Sequence, residues 1–286
     1  AEGECNVTTC ATITLNVLTD CPDRSNQNYI LTRTPQIGYT SPLPVNTDPE
    51  NVSKSYSYFD GLGRPAQSIN QQASPLQKDI VQPFDYDDFG RELKSYLPYV
   101  ASSQETGEFR DNSISLNGSY IGSDQQVFYS SAENIAHDDS PFSEVAFDNS
   151  PLNRVLEQGA PGETWQPGTN HTVKYGYQTN VDSEVVLWEI NDNEELIVDE
   201  NNPYSNEKDL YKNVTTDEEG NKVIEYTDKQ GQTILKKVQL AENPAETSHE
   251  GWACTYYVYD DFGNLRFVVQ PELVKDLLNR VEFASG

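Results

Sequence analysis

One acidic pentapeptide, Tyr-Asp-Asp-Phe-Gly, occurs twice in this sequence, at residues 86–90 and 259–263. Two adjacent carboxylates beside an aromatic ring offer the oxygen ligands that divalent cations prefer. The first Asp could instead accept backbone hydrogen bonds and shape a turn. The first alternative predicts a chemical site and the second a structural element, so the surrounding sequence must decide between them.

Two classes of enzyme use acidic residues in comparable patterns. Asp-Phe-Gly is the metal-binding triplet of protein kinases, but this sequence lacks the Gly-rich loop, the strand lysine and the His-Arg-Asp loop that kinases also need. Glycoside hydrolases use paired carboxylates, and adjacent acidic pairs occur at 87–88, 138–139, 194–195 and 218–219. With 46 acidic residues such pairs arise by chance, and neighbours on a strand face opposite ways. We therefore expect no hydrolase site.

The three histidines give no sign of nucleophilic catalysis. His137, His171 and His249 lie far apart in loop-like contexts, and no G-x-S-x-G motif accompanies them. We expect solvated loop histidines, no catalytic residues, no enzymatic activity and no cofactor.

Calcium is the ligand that the composition permits. Oxygen-rich segments occur at residues 138–139, 191–195 and 199–202. None has the EF-hand spacing with its central Gly and terminal Glu, so solvated acidic loops are favoured and bound calcium remains the alternative. Trp165 and Trp188 could stack on sugars if exposed, although we expect both to be buried in a β-protein core.

The charge balance bounds the partners of this chain. Its 286 residues include 46 acidic and 19 basic ones, for a formal net charge of −27. Nucleic acids and anionic membranes require clustered Lys and Arg, so neither is an expected partner. No apolar run reaches the ~18 residues of a membrane span. Because Met is absent even at position 1, we expect an internal segment of a longer polypeptide.

Three of the four cysteines, Cys5, Cys10 and Cys21, crowd the first 21 residues. They lack the paired spacing and the nearby His of a zinc site. We expect a disulfide among them, with its pairing left open, in an extracellular or cell-surface protein. Cys254 lies in a strand-like run, and we expect it to be buried.

Short aromatic or β-branched runs separated by Gly, Asn, Asp and Pro dominate the chain. They predict an all-β fold over residues 28–286, whereas residues 1–27 suggest the end of a preceding immunoglobulin-like β-domain and a linker. Residues 101–170 are poor in strand patterns and predict long irregular loops. One short C-terminal helix is predicted from Pro271 onward, where an apolar stripe follows.

Both pentapeptides belong to a looser pattern, Asp-x-x-Gly, flanked by strand-like runs. Asp at the first position of a type I turn can accept the backbone N–H two residues on. Gly three residues later supplies the left-handed conformation that resumes a hairpin after a bulge. The pattern therefore predicts five hairpin turns rather than metal sites. The five pairs are Asp60 and Gly63, Asp87 and Gly90, Asp217 and Gly220, Asp228 and Gly231, and Asp260 and Gly263.

These turns resemble the tyrosine-aspartate (YD) repeat of the Rhs and teneurin superfamily, whose usual form is Y-D-x-x-G-R. Residues 86–91 and 259–264 match that form best, with residues 59–64 close behind. The resemblance extends from about residue 28 to about residue 275, to an uncharacterised domain that opens the Rhs region of large secreted Bacteroidota proteins. The stretches that carry it are residues 28–35, 58–65, 78–83, 150–162 and 256–266.

The resemblance implies a large β-shell in which a strip of hairpins spirals around a hollow interior. In toxin members the shell encloses a C-terminal polymorphic toxin, and a core domain near its end acts as an aspartyl autoprotease; both would lie beyond Gly286. The uneven gaps between the turn glycines predict a decorated spiral rather than a repeat of fixed period.

Together these features predict a structural, non-catalytic N-terminal segment of a secreted Rhs/YD-repeat protein. Its β-shell would encapsulate or display a C-terminal effector. The expected partners are the rest of its own shell, the enclosed effector, and secretion or surface-anchoring machinery, with a type 9 route suggested by lineage. The alternative is a cell-surface adhesion or glycan-binding module that uses exposed aromatics and calcium.

Overall fold

A computed structural model describes residues 27–38, 48–102, 106–182, 184–198, 204 and 208–284. Residues 1–26, with Cys5, Cys10 and Cys21, lie outside this part of the chain. The predicted disulfide and the predicted preceding domain therefore stay predictions.

The described residues form sixteen β-strands, two α-helices and one 3-10 helix. The helices are α1 Asp124–Ser131 and α2 Pro271–Ala284, and the 3-10 helix is Glu163–Trp165. This composition confirms the coarse prediction of a mostly β protein. The strands are β1 Asn28–Pro35, β2 Val52–Phe59, β3 Pro65–Gln71, β4 Ile80–Pro83, β5 Lys94–Tyr96, β6 Tyr99–Val100, β7 Phe142–Phe147, β8 Val155–Gln158, β9 Val173–Thr179, β10 Trp188–Ile190, β11 Leu196–Val198, β12 Tyr211–Thr216, β13 Lys222–Thr227, β14 Thr233–Gln239, β15 Trp252–Tyr259 and β16 Leu265–Val269.

Two compact units make up the described chain. One comprises the residues before 83 together with 100–113, and the other comprises 83–99 together with the residues from 114 onward. A five-stranded sheet has the order β1-β2-β3-β4-β6, and a nine-stranded sheet has the order β16-β15-β14-β13-β12-β9-β8-β7-β5. β10 and β11 form a separate two-stranded sheet. Every pair in the nine-stranded sheet is antiparallel.

The core of the larger unit lies on one face of the nine-stranded sheet. In β15, Trp252, Cys254, Tyr256 and Val258 are buried, and the residues between them are half-buried. This alternation follows from the two-residue period of a strand, which places successive side chains on opposite faces. Full burial of one large apolar side chain contributes roughly 1.5–3 kcal/mol. Burial of Cys254, as predicted, is confirmed.

The smaller unit is built around tyrosines of β2. The rings of Tyr56 and Tyr58 are stacked with centroids 6.3 Å apart, and the Tyr58 hydroxyl donates to the carbonyl of Gly107 at 2.6 Å. A Cβ at Gly107 would come within 2.3 Å of the Tyr56 ring, so only glycine fits there. Buried Asp79 accepts the Gly107 N–H at 2.9 Å and pairs with Arg110 at 2.9 Å. These contacts fix the Gly107 loop in place.

Two α-helices occur where the sequence predicts one. The predicted helix is α2, whose Val274 and Leu277 pack against the core. The sequence pattern misses α1 because its eight residues carry no apolar stripe; its buried residue is Gln125, whose Nε2 donates to the Leu97 carbonyl at 2.6 Å. Residues 101–170 also contain β7 and β8, so the prediction of irregular loops is wrong for part of that segment. Neither helix in the described part of the chain has the length and apolar character of a membrane span.

Candidate functional site

The five Asp-x-x-Gly segments all form the same turn. In each, the Gly N–H donates to the Asp carbonyl at 2.8–3.2 Å, and the Asp N–H donates to the carbonyl of the residue after Gly at 2.9–3.0 Å. The glycine φ angles lie between 79° and 89°, in the left-handed region that residues with a Cβ rarely adopt. The turns are those of Asp60 and Gly63, Asp87 and Gly90, Asp217 and Gly220, Asp228 and Gly231, and Asp260 and Gly263.

The Asp carboxylate completes each turn. Its Oδ1 accepts the N–H two residues on at 2.9–3.0 Å and the N–H four residues on at 2.8–2.9 Å. In four of the five turns, the other oxygen accepts from the side chain of the residue after Gly. Arg91 Nε donates to Asp87 Oδ2 at 2.8 Å, and Asn221 Nδ2 donates to Asp217 Oδ2 at 3.1 Å. The first Asp of each copy therefore serves its own turn.

These hydrogen bonds favour the ionised carboxylates. The backbone N–H of Arg64 is the main cause that lowers the pKa of Asp60 below its usual value. The side-chain amide of Asn221 does the same for the pKa of Asp217. A carboxylate with a lowered pKa keeps its charge, and hence its full accepting capacity, to more acidic pH. The carboxylates of Asp60 and Asp217 therefore keep their turn hydrogen bonds to more acidic pH than an ordinary carboxylate would.

A sixth turn of this kind joins β10 and β11 without either signature residue. Asn191 Oδ1 accepts the N–H of Asn193 at 3.0 Å and that of Glu195 at 2.9 Å. Glu194 occupies the glycine position with a φ of 62°. From the sequence, residues 191–195 were a candidate calcium loop; in the structure the Asn191 oxygen is engaged by the backbone. The amide of Asn presents the same acceptor as Asp, and this similarity is the signal that could have identified the turn.

A longer turn of the same design joins β7 and β8. The Asp148 N–H donates to the Arg154 carbonyl at 2.8 Å, and Asp148 Oδ2 accepts from Arg154 Nε at 2.9 Å. Asn153, with a φ of 50°, takes the glycine position. The hydroxyl of Ser150 and then the guanidinium of Arg154 lower the pKa of Asp148 to about 2. The two ends lie six residues apart rather than four, which hides this turn from the Asp-x-x-Gly pattern.

Adjacent turns of the larger sheet are linked by the residue that follows the glycine. Gln232 Nε2 donates to the carbonyl of Gly263 at 3.3 Å. Arg91 Nη1 donates to Asn153 Oδ1 at 2.8 Å, and its guanidinium lies 4.6 Å from the centroid of the Phe147 ring. In these two turns the residue after the glycine therefore contacts a neighbouring turn. The turn at Asp87 joins β4 to β5, which lie in different sheets, so the prediction of a hairpin at that site is wrong although the turn itself forms.

The acidic segment at residues 138–139 is likewise engaged by backbone N–H groups. Asp138 Oδ1 accepts the N–H of Ser140 at 2.7 Å and that of Glu163 at 2.9 Å. Residues 199–202 lie outside the described part of the chain. Over the residues that the structure covers, no group of three or more His, Cys, Asp and Glu side chains could hold a metal ion.

Residues 31–179 match a family described as a domain of unknown function, DUF6443. This match covers more than half of the 286 residues. The chain belongs to the DUF6443 family. No curated protein sequence matches it. The DUF6443 match ends with the last residue of β9, so it includes the turns that begin at Asp60 and Asp87 and excludes the other three Asp-x-x-Gly turns.

Beyond the DUF6443 match, a buried ion pair ties the segment after β9 to the sheet. Glu184 is inaccessible to solvent, and its Oε1 accepts from Lys212 Nζ at 2.5 Å and from the Tyr226 hydroxyl at 2.7 Å. Burial opposes ionisation of Glu184, but the hydrogen bonds from Lys212 and Tyr226 outweigh it and lower the pKa of the carboxyl. The same environment raises the pKa of Tyr226. Glu184 is thus an ionised, fully paired group.

Two further polar side chains of the DUF6443 protein lie in this core. Lys237 is inaccessible, its Nζ donates to the Ser248 carbonyl at 3.2 Å, and burial lowers its pKa. His249, predicted to be a solvated loop residue, instead lies 2.6 Å through Nε2 from the Tyr256 hydroxyl. The Val186 N–H donates to that same hydroxyl oxygen. Burial lowers the pKa of His249 to about 4, which keeps the imidazole neutral.

The two tryptophans that could stack on sugars differ in environment. Trp188 is 7% exposed, and its ring centroid lies 5.4 Å from that of Tyr256. Trp165 is 41% exposed and lies beside the exposed ring of His171, with 5.4 Å between centroids. The prediction of burial is therefore right for Trp188 and wrong for Trp165.

Proposed function

We propose that this DUF6443 chain is the N-terminal part of a Rhs/YD-repeat β-shell, with the structural role of enclosing or displaying a downstream effector such as a polymorphic toxin. The observation that carries the proposal is the single turn geometry used at five Asp-x-x-Gly sites. Hairpins closed by the same turn can be added to a sheet one after another without a change of register. A long, continuous wall requires that property.

The contacts between turns support a wall rather than a set of separate hairpins. The bond from Gln232 to Gly263 and the bond from Arg91 to Asn153 each join two different turns. A sheet with its turns tied side by side resists the separation of neighbouring hairpins. β16 is one of the two edge strands of the nine-stranded sheet, and an edge offers backbone N–H and C=O groups for pairing. Further hairpins of the same polypeptide are the partner that we assign to it.

The charge of the chain suits a large extracellular object. A net charge of −27 makes copies of the chain repel one another and keeps a large assembly dispersed. Secretion, a surface location and a type 9 route are part of the proposal, and they rest on the resemblance to secreted Bacteroidota proteins and on the cysteine pattern. The role proposed is exclusion by a wall, in which this segment performs no catalysis.

The test uses the complete natural polypeptide that contains this chain. Electron microscopy should show a hollow shell with density inside it. Limited proteolysis should leave the downstream effector region intact while the shell is folded and digest it once urea opens the shell. The same effector region expressed alone is the control and should be digested at once. A folded full-length protein without an internal space, or an effector cut equally fast with and without the shell, would overturn the proposal.

A further inference from the structure

One surface loop has features that a structural wall does not require. It connects β8 to β9 and carries Trp165, which exposes 41% of its surface. The ring of His171 lies beside it, with centroids 5.4 Å apart and planes inclined at 47°. Two tilted rings form an open aromatic surface.

The loop that presents Trp165 is held rigidly. Glu163 N–H donates to Asp138 Oδ1 at 2.9 Å. A Cβ at Gly159 would lie 2.3 Å from the carbonyl oxygen of Trp165, so the chain passes itself closely at this point. A preorganised loop loses little conformational entropy on binding, and more of the contact energy appears as affinity. Gln166 Nε2 lies 2.9–3.1 Å from the carbonyls of Phe142, Ala160 and Gly162.

Polar groups flank the aromatic surface. His171 Nδ1 lies 3.2 Å from the Thr164 carbonyl, and a carbonyl can only accept, so Nδ1 carries the proton. In the neutral ring Nε2 is then an acceptor. The carboxylate of Glu163 is exposed on the adjacent residue and is a second acceptor. The loop thus carries two exposed aromatic rings together with groups that can accept hydrogen bonds from hydroxyls.

We propose that Trp165, His171 and Glu163 form a binding site for a neutral pyranose oligosaccharide. A pyranose has an apolar C–H face, which suits the indole ring, and hydroxyl groups at its edge, which suit the imidazole and the carboxylate. The net charge of −27 and the neighbouring Asp138 and Glu163 repel acidic sugars and nucleotides. The carboxylate of Asp138 is occupied by backbone N–H groups, so binding requires no calcium. This site does not depend on the proposed shell function.

The test is a titration of the isotope-labelled chain, followed through its indole N–H signals in the presence of EDTA. The probes are cellohexaose, chitohexaose and mannohexaose. The Trp165 signal should shift saturably with at least one probe, while the signals of buried Trp188 and Trp252 stay in place. Trp165→Ala should weaken binding about tenfold or more, as expected for the loss of an aromatic contact, and Glu163→Gln should weaken it less.

Phe262→Ala is the matched control, because Phe262 is 91% exposed on a distant turn and its loss should leave binding unchanged. Unshifted Trp188 and Trp252 signals in Trp165→Ala would show that the fold is intact. The proposal is overturned if no probe gives a saturable shift, or if Trp165→Ala binds as well as the unaltered chain. A shift with a lysine-rich peptide and none with the sugars would also overturn it, since the ring would then bind cations.

Discussion

The turn that begins at Asp60 contains two glycines that differ in one respect. Gly63 has a φ of 79°, whereas Gly61 lies outside the left-handed region. A Cβ added at either glycine meets no atom within 4 Å. Gly61→Ala and Gly63→Ala therefore form a matched pair in which backbone conformation alone distinguishes the two sites.

The expected difference follows from this geometry. Both substitutions reduce the entropy of the unfolded chain, which stabilises the folded state by about 0.4–1 kcal/mol at either site. Gly63→Ala also places a Cβ in the left-handed conformation, which costs about 1–2 kcal/mol. The entropy gain is common to both variants, so their difference isolates this conformational cost. Gly61→Ala should match or exceed the unaltered chain in stability, and Gly63→Ala should fall below Gly61→Ala.

Native-state hydrogen exchange measures this difference at the hairpin itself. The Gly63 N–H donates to the Asp60 carbonyl at 3.1 Å, and the Arg64 N–H donates to the Asp60 carboxylate at 2.8 Å, so both amides report opening of the turn. The opening constant in Gly63→Ala should exceed that in Gly61→Ala by roughly 5–30-fold. Gly63→Asn should lie between them, because Asn tolerates the left-handed region better than Ala. Equal exchange in the two Ala variants would refute the assignment of Gly63 to a conformational role.

Three further predictions concern the larger unit and are checked by urea unfolding. Lys212→Met leaves the buried Glu184 carboxylate without its cation and should lower the free energy of unfolding by about 3–5 kcal/mol. Lys237→Met removes a desolvated ammonium and should leave the free energy of unfolding unchanged or raise it. Equal losses in the two variants would contradict this contrast. The folded pKa of His249, about 4, lies below its usual value of 6.5, so the unfolded state binds the proton first. The contribution of His249 to stability is therefore complete above about pH 6.5 and is lost as the pH falls towards 4. His249→Phe should flatten the dependence of the free energy of unfolding on pH in this range. An unchanged dependence would show that other groups cause it. Glu194→Gly relieves a φ of 62° and should raise the free energy of unfolding by roughly 1 kcal/mol; a decrease would show that the Glu194 side chain stabilises its turn.

The parts of this fold that could be predicted from the sequence are those determined within a few residues. An Asp at the start of a turn binds N–H groups two and four positions on, so the letters of one short segment carry the signal. The inward position of Cys254 follows in the same way from the alternation around it. The start of α2 at Pro271 is equally local, because proline suits a first helical turn.

The parts that could not be predicted depend on contacts between distant residues. Glu184 and Lys212 lie 28 residues apart, and their charges alone predict exposure. The two-residue period that begins at Leu235 places Lys237 on the buried face of β14. A charged lysine is nevertheless expected to be exposed, so residue type predicts the opposite of what the period predicts. α1 is held in place by Gln125 and its contact with Leu97 rather than by an apolar stripe, so periodicity carries no signal for it.

The exceptions to the turn pattern follow from how each hairpin is paired. A turn within a wide sheet sets the register of strands that pair on both sides, and a slip of one residue moves every side chain to the opposite face. β10 and β11 pair only with each other, so an error in their turn spreads no further, and the strained Glu194 is tolerated there. β7 and β8 belong to the nine-stranded sheet, and their turn uses Asn153, from a residue type that adopts the left-handed region more readily than most others. The requirement that recurs is therefore conformational rather than chemical: a side-chain oxygen at the first position of the turn, and tolerance of a positive φ at the position before the chain resumes.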